Sequence, residues 1–357
     1  MVEWKTIGDI LAVHTGKQLN RSGLSEVGAY PVINGGRTPS GYSDSHNENK
    51  NSITISQGGE SAGFVNWIDT AFWAGSHCYV VENINNQNLR FLFHLLKNYE
   101  YEIMESKQGA GIPGLNRKNL YSILVPIPSV SEQNRIVGIL DTFTDSIENL
   151  KQQIAQRRKQ FEFYRDHLLD LEGKEGVELT KLGEIAYYSK DRISALMLNA
   201  KNYVSVENLL KDKAGRNDSE KVPESGNWVG YKENDILIGN IRPYLRKIWL
   251  ADRDGGTNGD VLVIRPKKEI AFKFLYFVLS SEIFFDYYNM TAKGGKMPRG
   301  DKKRALSYPI FLPTLSEQQR IVSILNTFEA SISNLEAQLA QRQKQYEYYR
   351  NKLLTFE

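Results

Sequence analysis

The sequence predicts an α+β chain in which two globular parts are joined by two long helices that pair as an antiparallel coiled coil with pseudo-two-fold symmetry. Three observations carry this. Residues 131–169 align with 316–354 without a gap, and about 25 of 39 positions are identical. Within both stretches the apolar residues recur in alternating steps of three and four, the spacing of a coiled-coil seam. Each stretch also follows a segment in which short β-rich runs are separated by glycine-, asparagine- and serine-rich turns.

Composition sets the bounds. A chain of 357 residues with 41% apolar content holds more than one core, because single cores stop growing short of about 300 residues. The opening MVEWKTIGDI has no basic run followed by an apolar one, and no stretch approaches the roughly 18 uninterrupted apolar residues of a membrane span. The expectation is a soluble, cytoplasmic chain without membrane contact. Cys78 is the only cysteine, so an internal disulfide and a cysteine-rich zinc cluster are excluded. In the apolar run SHCYVV it reads as a small buried residue rather than a nucleophile. A net charge of +3 leaves a nucleic-acid partner open, since a local basic face matters more than the sum.

The repeat is wider than the helix. At the same register of 185, Gly109 matches Gly294, Pro113 matches Pro298, Arg117-Lys118 match Lys302-Lys303, and Pro128 matches Pro313. Further back, a register of 183 aligns SITIS (52–56) with DILIG (235–239) and RFLFHLL (90–96) with KFLYFVL (273–279), and a register of 175 aligns KTIGDI with TKLGEI. The chain therefore divides into a globular part at 1–130, a helix at 131–172, a second globular part at 173–315 and a second helix at 316–357. In the first globular part SITIS, CYVV and YSILVPI read as strands and NLRFLFHLLKNYEYEIME as one helix. In the second, NYVSV, DILIGNI, RKIWL and DVLVI read as strands and IAFKFLYFVLSSEIFFDYY as one helix.

Ser131 and Ser316 suit the helix N-cap, with Glu132 and Glu317 in the first turn, where a carboxylate complements the helix dipole. Gln319 completes a capping-box spacing in the second copy. The seam then runs Ile136, Leu140, Phe143, Ile147, Leu150, Ile154, Phe161, and in the second copy Ile321, Leu325, Phe328, Ile332, Leu335, Leu339, Tyr346. Arg157 and Arg342 occupy one equivalent polar slot, which is expected to fix register. About 35 helical residues span roughly 50 Å. Parallel pairing would stretch the second globular part over that distance, whereas domain termini usually lie close together. Antiparallel pairing is the expectation, and it brings Glu357 near the start of the first helix.

Both globular parts end in a glycine- and proline-bearing loop with basic residues, KQGAGIPGLNRK (107–118) and AKGGKMPRGDKKR (292–304). Glycine backbones approach a phosphate closely and Arg or Lys neutralises it; the other reading of a basic loop is a solvated face. Reading bases needs bidentate side chains, Arg or Lys for guanine and Asn or Gln for adenine. The DNA-binding candidates are Lys17, Asn34, Arg37, Gln57, Gln108 and Arg117 in the first part, and Lys190, Asn240, Arg242, Arg246, Lys293, Lys296 and Arg299 in the second. Gln57 and Asn240 hold equivalent positions just after an aligned strand, as readers or as turn amides bonding their own backbone. There is no Walker A stretch, dinucleotide fingerprint, H-E-x-x-H or Asn/Asp-Pro-Pro-aromatic tetrapeptide. His14, His46, His77, His94 and His167 lack metal-ligand spacing, and Asp44, Glu48 and Lys50 lie in a polar loop without a flanking strand. No catalytic residue and no metal site is assigned.

With these residues in hand, the chain resembles the specificity (S) subunits of Type I restriction-modification systems of prokaryotes. The resemblance rests on P-x-x-SEQ-x-RIV in both copies (128–137 and 313–322), on YPVINGG (30–36), on GAGIPGL (109–115), and on the order variable domain, helix, variable domain, helix. It implies a non-catalytic DNA-binding subunit of a DNA methylation complex. Each globular part would be a target-recognition domain reading one half of a bipartite, asymmetric double-stranded target, and the conserved helices would set the spacer between halves. It further implies two methyltransferase (M) subunits that bring S-adenosylmethionine and methylate adenine, with restriction (R) subunits able to join; this chain itself would hold no cofactor. Glu132, Gln133, Arg135 and Glu317, Gln318, Arg320 become the candidate methyltransferase contacts, or serve as cap and exposed charge. Two other classes stay in view, a coiled-coil scaffold whose globular parts bind proteins and a single-chain enzyme.

Overall fold

The structure is a computed structural model that describes residues 2–108, 113–290 and 292–356. The chain forms two compact units, one of residues 1–152 with 336–357 and one of residues 153–335. Each unit therefore combines one globular head with the opening half of one long helix and the closing half of the other. The long helices run Val130–Leu169 and Leu315–Leu354, 40 residues each.

In the first unit a four-stranded antiparallel sheet is ordered Leu11–Thr15, Cys78–Asn83, Ser52–Ser56, Val65–Ile68. The second unit repeats it as Ala186–Tyr188, Val261–Pro266, Ile236–Gly239, Ile248–Leu250. In both, the central strands are almost wholly buried (Ile53, Ile55, Val80; Ile236, Ile238, Leu262), as strands covered on both faces must be. A smaller sheet flanks each, Tyr42–Ser43, Tyr30–Ile33, Trp73–Ala74 in the first and Arg192–Ser194, Asn227–Tyr231, Gly255–Thr257, Tyr203–Val204 in the second. A two-stranded antiparallel ribbon closes each head, Glu3–Thr6 on Leu124–Ile127 and Glu178–Lys181 on Pro309–Leu312.

Each single head helix expected from the sequence is two. The first breaks at Tyr99 between Leu89–Asn98 and Glu100–Glu105. There the Glu100 carboxylate accepts the Val65 backbone N–H at 2.8 Å, so the second piece turns toward the sheet edge. The other breaks between Phe272–Leu279 and Glu282–Met290, where Ser281 Oγ accepts the Phe284 N–H at 3.2 Å and restarts the helix. Apolar periodicity runs straight through both breaks, which is why it hides them.

The long helices pack antiparallel within each unit. In the first, Phe143 stacks on Tyr349 with centroids 5.2 Å apart, and the Arg342 guanidinium lies 5.7 Å from the Phe143 ring centre. In the second, Phe328 stacks on Tyr164 at 5.1 Å and Arg157 lies 5.9 Å from the Phe328 ring. The two arginines at the polar slot thus cap an aromatic face of the opposite helix, a cation–π contact, and each also bonds its own helix through Gln160 or Gln345. Leu140 and Leu325, with Ile136 and Ile321, are fully buried and belong to the head cores, so the seam's first turns serve the heads. Leu150 and Ile154 are buried, and Ile147, Phe161, Ile332, Leu335 and Leu339 half-buried.

The heads sit on the helices through equivalent positions with different chemistry. In the first unit Arg90 Nε donates to Asp141 at 2.8 Å, and fully buried His94 bridges Asp141 (2.8 Å) and the Tyr346 hydroxyl (3.0 Å). In the second the same places hold Lys273 on Asn326 (2.8 Å) and the edge-on pair Phe161–Phe277 at 6.1 Å. Burial pushes the His94 pKa below its ordinary 6.5, and the Asp141 bond only partly offsets this. Well above pH 6.5 His94 is neutral folded and unfolded and adds no pH dependence. As pH falls below 6.5 the unfolded chain binds a proton that the folded one refuses, so stability declines. The triple variant His94→Phe, Asp141→Asn, Tyr346→Phe, which imports the second unit's chemistry, should match wild type within about 1 kcal/mol at pH 7.5 and lose stability less steeply between pH 6.5 and 4.5. Urea melts across that range check it; His94→Ala alone should cost about 2–4 kcal/mol.

Candidate nucleic-acid interface

In each head the loop after the aligned inner strand is tied to the basic glycine-proline loop by the same backbone bonds. In the first head Gly59 N donates to Pro113 O at 2.9 Å and Leu115 N to Gln57 O at 2.8 Å. In the second Arg242 N donates to Pro298 O at 2.7 Å and Gly300 N to Asn240 O at 3.1 Å. The bridges Gly58–Gly114 and Gln108–Gly114 recur as Ile241–Arg299 and Lys293–Arg299. Gly109 and residues 110–112 of GAGIPGL, like Thr291 and Glu357, lie outside the described residues.

Most first-head candidates sit around this loop pair. Lys17 and Arg37 are exposed; Lys17 is fixed through its backbone to Ala74 and the Trp73 indole, and Arg37 lies 5.4 Å from the Phe64 ring. Gln57 is half-buried, Gln108 is exposed, and Arg117 is exposed while donating to Thr15 Oγ1 at 3.1 Å. Asn34 uses its amide oxygen inside the fold, accepting the His77 N–H at 3.0 Å.

The second head sorts its candidates more sharply. Asn240 is 3% exposed and its amide oxygen accepts the Tyr288 hydroxyl, so it is a structural amide and the pairing with Gln57 as equivalent readers does not hold. Arg246 is taken up by Asp212 and Glu282, both at 2.7 Å. Arg299 pairs with Asp260 at 3.2 Å, Lys293 reaches Asp301 at 3.6 Å, and Lys190 and Lys296 are exposed. Arg242 lines a cleft of about 420 Å³ with Tyr203, Glu207, Lys221, Asn258 and Met297. Lys221 and Asn258 carried no sequence signal, because their place in the cleft depends on the smaller sheet. Arg242 and Arg246 both adopt left-handed backbone (φ 52° and 49°), a conformation that costs a non-glycine residue roughly 1–2 kcal/mol.

The helix openings divide SEQ-x-RIV into a buried and an exposed part. The caps are Ser129 and Thr314, two residues before the serines expected there: their hydroxyls accept from Glu132 N and Glu317 N at 3.4 Å, and their carbonyls take the first helical bonds from Gln133 N and Gln318 N at 2.9 Å. The helix gains two residues because Val130 and Leu315 adopt helical backbone directly after the proline-bearing strand ends. Gln133 and Gln318 are buried. Gln133 donates to Pro128 O (2.9 Å) and accepts the Asn88 N–H (3.0 Å); Gln318 does the same with Pro313 O (2.9 Å) and Ala271 N–H (3.0 Å). Both therefore hold a head helix by its N-terminus and are unavailable to a partner. Glu132 with Arg135 and Glu317 with Arg320 form exposed two-pronged ion pairs at 2.6–2.8 Å.

Other polar groups belong to the fold. Cys78 is buried, and desolvation pushes its thiol up to about 12, which removes it as a nucleophile at neutral pH. His14 is held between Glu48 and Glu82 at 2.9 and 2.6 Å, and among the described residues no cluster of His, Cys, Asp and Glu is arranged to hold a metal ion. No helix among the described residues is long and apolar enough to cross a membrane.

Two duplicated heads, each carrying a basic loop pair and each seated on the opening half of one long helix and the closing half of the other, define a double recognition scaffold. The chain belongs to the Type I restriction modification DNA specificity domain family, which it matches over residues 1–157 and 174–343. It is 28% identical over 321 residues to the EcoR124I/EcoR124II specificity subunit of Escherichia coli, covering 81% of this chain and 77% of that one. To the EcoDI specificity subunit of Escherichia coli it is 24% identical, covering 95% and 84%. The crystal structure of the Type I restriction-modification S subunit from M. genitalium shares the fold, with a TM-score of 0.64 at 19% identity, 100% of this chain and 97% of that one being covered.

The helix openings separate two roles experimentally. Gln133→Ala leaves the Asn88 N–H and the Pro128 carbonyl without their partner inside the core and should cost about 1–3 kcal/mol. Arg135→Ala with Arg320→Ala should leave the melting temperature and the helical circular dichroism of wild type in place.

Proposed function

We propose that this chain is the DNA-recognition subunit of a Type I restriction-modification complex, each head reading one half of a bipartite, asymmetric duplex target. The observation that carries this reading is the loop pair described above: one backbone scaffold in both heads, presenting Gln57, Gln108 and Arg117 in one and Arg242, Lys293, Lys296 and Arg299 in the other. A scaffold kept while its side chains differ is what two unlike half-sites require. The long helices set the spacer, since half-sites read from one face are separated by about one duplex turn, roughly 34 Å, within the reach of a 40-residue helix. The exposed pairs Glu132–Arg135 and Glu317–Arg320 offer two equivalent polar sites for two methyltransferase subunits. Those subunits supply S-adenosylmethionine and the adenine chemistry, and restriction subunits join the complex they form. The chain itself recognises and does not catalyse, and it works in the cytoplasm with its target.

The test is co-expression with a methyltransferase subunit followed by genome-wide mapping of methylated adenines. The expected result is a motif of two unlike halves separated by a fixed gap. One heptad added to both long helices should lengthen the gap by roughly three base pairs, about 10.5 Å of helix against 3.4 Å per pair, and leave the halves unaltered; changed halves would count against the reading. A protein-binding scaffold would instead show no salt-sensitive DNA binding with the methyltransferase present.

A further inference from the structure

We infer that Arg242 is a specificity-determining residue of the second head, its guanidinium reading a guanine of that half-site; this rests on the function proposed above. The backbone at this loop position is left-handed in both heads. The first head fills the position with Gly59 at φ 77°, the residue that suits it, and fills the next left-handed position with Gly63 at φ 93°. The second head keeps arginine at both, Arg242 and Arg246. For Arg246 the fold explains the choice, because Asp212 and Glu282 both bind its guanidinium. Arg242 has no such account. Its side chain has no hydrogen bond or ion pair among the described residues, and it lines the cleft beside Lys221 and Asn258.

A side chain kept on strained backbone, without a partner in the fold, points to a partner outside it. The placement favours a base over a phosphate. The Arg242 N–H is fastened to Pro298 O at 2.7 Å, which fixes the residue against the loop that carries exposed Lys293 and Lys296. Those flexible ammonium groups suit phosphates, whereas a planar guanidinium on an anchored backbone matches the paired O6 and N7 acceptors of guanine.

The complex of this chain with a methyltransferase subunit tests the inference, with methylome mapping, binding to duplexes carrying single base-pair changes, and thermal melting as readouts. Arg242→Gly should melt at or above the wild-type temperature, since glycine relieves the backbone. It should also lose discrimination roughly ten- to hundred-fold at one guanine of one half-site while the other half-site is unaltered. Arg242→Lys, which keeps the charge but not the planar fork, should discriminate less well than wild type at the same guanine. Arg242→Asn, which tolerates left-handed backbone, should behave as the glycine variant if glycine loosens the loop. Weaker binding spread evenly over all sequences with the motif intact would make Arg242 a phosphate contact and overturn the inference. So would an unchanged motif, or a lower melting temperature in both the glycine and asparagine variants. A wild-type complex that writes no bipartite motif would overturn the proposed function and this inference with it.

Discussion

Each head is held by one buried side-chain amide, Gln133 in the first and Gln318 in the second. The amide accepts the N–H at the start of a head helix and donates to the carbonyl of the proline that follows the head's last strand. An unpaired polar group in such a core costs more than the bond itself contributes, so strand end, head helix and long helix are fixed together or not at all. Arg90 on Asp141 and Lys273 on Asn326 then secure the head helix about two turns further along the long helix. The position of the paired loops relative to the long helix follows from that joint, because the rest of each head is a packed sheet with little freedom.

The duplication conserves geometry more strictly than chemistry. At the joint, histidine, aspartate and tyrosine in one unit become phenylalanine, asparagine and phenylalanine in the other. A satisfied polar trio and an apolar pair of similar volume are close in stability, which lets the two copies drift apart without losing their seat. The stacked pairs Phe143–Tyr349 and Phe328–Tyr164, each capped by an arginine, have not drifted.

Much of this was legible in the sequence because it is periodic or repeated. The long helices, their seam and the inner strands all announce themselves through spacing, and antiparallel pairing followed from the length of the helices and the closeness of a domain's two ends. What spacing conceals is where a side chain's bonds go. Gln133 sits beside Glu132 and Arg135 in sequence, yet it is buried while they are exposed, because a helix turns about 100° per residue and puts it on the head side. Ser131 looked like a cap, but Val130 adopts helical backbone and moves the cap to Ser129. Asn240 fits the pattern of a base reader, and only the fold shows Tyr288 holding its amide. The left-handed backbone at Arg242 and Arg246 was invisible because neither is a glycine; the glycines at 59 and 63 of the other copy were the available clue.

The ribbon that closes each head sets the first and last strands of that head side by side, Glu3 opposite Ile127 and Glu178 opposite Leu312. A head is therefore a loop of chain whose two ends leave at one spot, next to the helix opening that carries it. Any insert able to supply those two strand ends and a helix start for the buried glutamine fits the same socket. On the function proposed above, such a construction makes the whole head, rather than any single contact, the unit in which a DNA half-site is chosen.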